Sequence, residues 1–83
     1  MLKLFRIIPK DHGKYTYGYY ELFIVAAASI PDALEVIYRH VCPKEEEIPY
    51  YLRSSNLKIE QIGNVELNHN VSQLIASSYY SGD

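Results

Sequence analysis

Residues 19–42 read YYELFIVAAASIPDALEVIYRHVC, and the change of hydrophobic period inside this stretch decides the fold. Up to Ala27 the residues are aromatic, β-branched or small, as in a strand. From Ser29 the spacing turns helical. Ser29 can cap a helix, Pro31 fits a first turn where its missing N–H costs nothing, and Asp32 favours the positive helix end in a capping-box-like pattern. Ile30, Leu34, Ile37 and Val41, with Ala33 beside them, share one face. Glu35 and Arg39 stand outside that stripe and can pair at i,i+4. Pro43 ends the helix.

Working outward, "LKLFRII" alternates Lys3, Phe5 and Ile7 with Leu2, Leu4, Arg6 and Ile8 and stops at Pro9, which predicts a first strand. "PKDHGK" is a turn, with Asp11 and Gly13 supplying its chemistry. The aromatic and β-branched run from about Tyr15 to Ala27 then completes a β-hairpin. Downstream of the helix, "PKEEEIPYYLRSSN" reads as a long surface loop. "LKIEQI" predicts a third strand closed by Gly63 and Asn64, and "SQLIASSYY" a fourth. The order β-β-α-β-β specifies an α+β fold: a largely antiparallel four-stranded sheet with one helix packed on one face, in a single domain over residues 1–83.

The totals narrow the function. An 83-residue chain is near the lower limit for one hydrophobic core without disulfides or metal, and its single cysteine, Cys42, excludes an intramolecular disulfide. No N-terminal secretory signal and no stretch of membrane-spanning length is read, so the expected location is the cytoplasm of a bacterial host cell. Residues 1–20 carry four basic groups against one acidic, and residues 21–83 four against nine, for a net charge of −2. Such a balance argues against tight binding to duplex nucleic acid, and with no stretch of spanning length no membrane partner is expected.

Tyrosine is the anomaly, with nine copies against two Phe and no Trp. Strict alternation places Tyr15, Tyr17, Tyr19, Glu21, Phe23 and Val25 on one face of the second strand, unless Gly18 marks a bulge, and Tyr20, Leu22, Ile24 and Ala26 on the other. The second set suits the helix, meeting Leu34 and Ile37. The first is then an uncovered tyrosine face, and tyrosine offers large contact area with few rotatable bonds. The expected partner-binding residues are Tyr15, Tyr17, Tyr19 and Phe23, joined by Glu45, Glu46, Glu47, Tyr50 and Tyr51 of the long loop.

Catalytic patterns are not found. His12, His40, His69 and Cys42 match no zinc spacing, and Cys42 follows a helix C-terminus, whose partial charge disfavours a thiolate. Gly13, Gly18, Gly63 and Gly82 form no phosphate loop. Glu45 to Glu47 read as a solvated charge run. The expectation is a non-enzymatic protein without cofactor or metal.

"YYELFIVAAASIPDALEVIYR", "LKIEQIGNVE" and "QLIASSYYSGD" together resemble a group of small phage and prophage proteins, in which a strand enters one helix, a polar loop follows, and an "IxxIG" strand precedes a short terminal strand. The matching residues Ala26, Ala27, Ser29, Ala33, Ile62, Gly63 and Gly82 have structural explanations. The resemblance implies a phage or mobile-element protein that binds and blocks a host macromolecule, with a bacterial defence system such as CRISPR as its target. A homo-oligomer, most simply a dimer, holding a nucleotide on the tyrosine face is the second expectation. A weak single-strand nucleic-acid binder is the third.

Overall fold

A computed structural model of the chain describes residues 1–11, 18–42, 48–66 and 71–81. Strands β1 (Leu2–Pro9) and β2 (Tyr19–Ala27) precede helix α1 (Ile30–Val41). Two short 3-10 turns, Tyr50–Leu52 and Ser54–Asn56, lead into β3 (Leu57–Val65) and β4 (Gln73–Tyr80). The strands form one antiparallel sheet in the order β3-β1-β2-β4, with the helix packed against it. The expected α+β architecture is therefore observed. β4, whose place the sequence left open, is an edge strand.

Helix α1 begins where its residues require. The Ser29 hydroxyl accepts from the Asp32 N–H at 3.4 Å, and Pro31 sits in the first turn. Ala33 and Ile37 are completely buried, while Leu34 and Val41 pack half-buried against the core. Ile30, expected on this stripe, is exposed because it lies at the very start of the helix. Glu35 and Arg39 pair on the solvent side. The helix ends with Cys42 as its C-cap.

The helix covers the opposite face of β2 from the one expected. Phe23, Val25 and Ala27 are completely buried and join Phe5 and Ile7 of β1 in the core beneath Ala33 and Ile37. Leu22, Ile24 and Ala26 belong to the other face, which has no helix. The register explains the choice: Val25 lies opposite Phe5 and Phe23 opposite Ile7, an apolar patch with the exposed Lys3 only at its end opposite Ala27, whereas Arg6 lies opposite Ile24 in the middle of the other face. A guanidinium under the helix would be desolvated at high cost. On the open face Arg6 instead reaches Glu60 of β3 at 3.0 Å.

A register shift between Tyr20 and Leu22 against β4 makes Glu21 the extra residue of a bulge. The bulge reverses the alternation, so Tyr20 comes to the helix side with Phe23, their rings stacked at 5.1 Å. Gly63 and Asn64, expected to close the third strand, instead lie within β3. The segment read as a surface loop also contributes to the core. Tyr51 and Leu52 are buried in it. Tyr38 of the helix donates to the Leu52 carbonyl at 3.1 Å, and Asn56 donates from its amide to the Asp11 and Tyr51 carbonyls.

Candidate functional site

The antiparallel order brings six tyrosines to one end of the sheet. Tyr19 and Tyr20 start β2, Tyr79 and Tyr80 end β4 opposite them, and Tyr50 and Tyr51 lie on the first 3-10 turn. Tyr20 is the hub. Its ring meets Tyr79 edge-on at 4.8 Å and His40 at 5.6 Å, and its hydroxyl shares a 3.4 Å hydrogen bond with His40 Nε2. The Tyr20 backbone N–H donates to the Tyr51 hydroxyl at 3.0 Å. Tyr19 bridges outward, 5.3 Å from the Tyr80 ring and 6.3 Å from that of Tyr51.

These rings border a shallow, open depression of about 370 Å³ lined by Gly18, Tyr20, Val41, Pro49, Tyr51 and Tyr79. Its floor is fixed, because Tyr51 is buried and hydrogen-bonded to the β2 backbone. Its rim is accessible: Tyr50, Tyr79 and Tyr80 are 63%, 53% and 41% exposed. The Arg53 guanidinium lies 6.0 Å from the centre of the Tyr50 ring, a cation–π distance. On helix α1, burial raises the Tyr38 phenol above its ordinary range.

The expected contact residues divide into three groups. Phe23 and Tyr51 are buried and cannot present a surface; Phe23 is sealed under the helix, and Tyr51 forms the floor. Tyr19 is half-buried beside Tyr80, and Tyr50 is fully available. Tyr15, Tyr17, Glu45, Glu46 and Glu47 lie outside the described residues. Tyr20, Tyr79 and Tyr80 are not among the expected contact residues. The repeated Tyr-Tyr pairs held a signal for them, but placing three pairs at one end required the strand order. His40 turns toward Tyr20, His12 and His69 lie outside the described residues, and among the described residues no three His, Cys, Asp or Glu side chains gather as a metal site would require. No helix among these residues is long and apolar enough to cross a membrane. Compared with known protein families, with curated proteins and with solved structures, the chain matches none of them.

Proposed function

We propose that this chain is a non-enzymatic interaction protein that binds and blocks a host macromolecule through the tyrosine end of its sheet. The observation that carries the reading is the cluster itself: Tyr50, Tyr79 and Tyr80 stand exposed around a rigid aromatic floor. Tyrosines held by neighbouring rings lose little entropy on binding, and each offers a hydrophobic face with a hydrogen-bonding tip. The phage or mobile-element setting, with a bacterial defence complex such as CRISPR as the target, rests on the resemblance of residues 19–39 and the last two strands to small phage proteins.

The test is native mass spectrometry of the tagged chain drawn gently from a bacterial lysate, beside the Tyr79→Ala/Tyr80→Ala double variant. Wild type should carry one host protein or complex in fixed stoichiometry, and the variant should lose it with unchanged far-UV circular dichroism. Equal capture by both proteins would overturn the reading.

One observation favours a second reading. A depression of about 370 Å³ bounded by Tyr20, Tyr51 and Tyr79 is large enough for a small planar ligand such as a nucleotide base. In that case the same experiment yields a ligand-loaded chain, and thermal stability rises with the free compound.

A further inference from the structure

The two edges of the sheet are built differently. β3 carries Lys58 and Glu60, which pair with each other at 3.4 Å, whereas register shifts occur at both edges, beside Ile62 on β3 and at Glu21 and Ile75 in the β2–β4 ladder. Charges of this kind disfavour the addition of a further strand. β4 reads QLIASSYY, with no charged residue and no proline over eight positions. Among the described residues no backbone group is hydrogen-bonded to its outer edge. Alternate residues of such a strand turn their N–H and C=O groups toward solvent, and Ile75, Ala76, Ser77, Tyr79 and Tyr80 are exposed along it.

We propose that β4 pairs antiparallel with β4 of a second copy of this chain, closing two four-stranded sheets into one of eight strands. A strand that meets its own reverse across a two-fold axis sets each residue against another from the same sequence. Any charge near its centre would face a like charge, and β4 has none. Centred on Ser77, the register sets Ala76 opposite the partner's Ser78 in the regular stretch of β4, with the bulged Ile75 flanking it near the partner's Tyr79. Small residues occupy the middle, where the backbones approach, and exposed large ones cover each other at the flanks. The two-fold axis runs perpendicular to the sheet, so both helices lie on one side and the two tyrosine ends point in opposite directions. The interface therefore covers part of the Tyr79 and Tyr80 rim and leaves Tyr50, on the first 3-10 turn, open on each copy.

A charge-swap tests the pairing. Ser77→Lys and Ser77→Glu each place like charges together at the two-fold axis, which disfavours cross-strand pairing. Native mass spectrometry with light scattering over a dilution series should find dimeric wild type, each variant at half that mass, and a heterodimer restored when the two variants are mixed in equal amounts. Lys58→Ser on the opposite edge should leave the dimer intact. If circular dichroism shows that the Ser77 variants fail to fold, the same swap at exposed Ala76 replaces them. Monomeric wild type at every concentration, a dimer that survives Ser77→Lys, or a mixture that does not recombine would overturn the proposal. So would a monomer that gains a strand from an unrelated protein. Tyrosine-dependent capture of a host protein by a monomer would overturn only the pairing.

Discussion

Gly18 holds φ at +68°, in the left-handed region, directly before β2. A Cβ on this residue would stand 2.8 Å from the Tyr79 hydroxyl oxygen. The backbone therefore favours glycine, whereas the exposed Tyr79 side chain has room to shift. Gly18→Ala should cost roughly 1–3 kcal/mol, the usual range for a side chain forced into this conformation. Urea denaturation would measure it, and a midpoint equal to wild type would show that the start of β2 relaxes freely. The sequence offered Gly18 as a possible bulge. The register shift instead falls at Glu21, where no residue type announces it.

At the scale of elements, helix α1 was legible because its signals are local. Its cap, first-turn proline and apolar stripe all act within four residues of one another. The segment from Ile48 to Asn56 was not legible in the same way. Its proline, serines and arginine suggested solvent, yet Leu52 and Tyr51 are buried because Tyr38 and Asn56 satisfy the backbone carbonyls that burial would otherwise strand. The β1–β3 ladder carries a prediction about pH. The hydrogen bond and charge of Arg6, with a smaller contribution from Lys58, hold the Glu60 carboxyl below its ordinary pKa. A carboxyl whose folded pKa is depressed contributes stability above its unfolded pKa and loses that contribution as pH falls through the folded value. Glu60 is solvent-exposed, so the effect on stability is small and titration is the sensitive readout. Carbon-detected NMR should place its midpoint below the ordinary value of about 4.3, and Arg6→Met should return it upward. An unchanged midpoint in the variant would remove the pairing from solution.

At the scale of the whole molecule, stability depends on one interface, where Phe5, Ile7, Phe23 and Val25 meet Ala33 and Ile37. Phe23 is fully buried, so Phe23→Ala should cost about 3–5 kcal/mol. Small domains have only about 5–15 kcal/mol to lose, so the variant should melt far below wild type. A loss under 1 kcal/mol would mean that the helix does not cover this face. The sequence by itself determined the elements, their order and the α+β class, because propensity, capping and turn chemistry are local. Its composition also marked tyrosine as the anomaly. Tertiary structure alone decided which face of β2 takes the helix, since alternation separates two apolar sets without ranking them; the hairpin register ranks them by placing Arg6 on one side. It likewise decided where the tyrosines gather, because only the strand order β3-β1-β2-β4 brings the start of β2, the end of β4 and the first 3-10 turn to one place. Such contacts join residues far apart in the chain, and no periodicity within a strand encodes them.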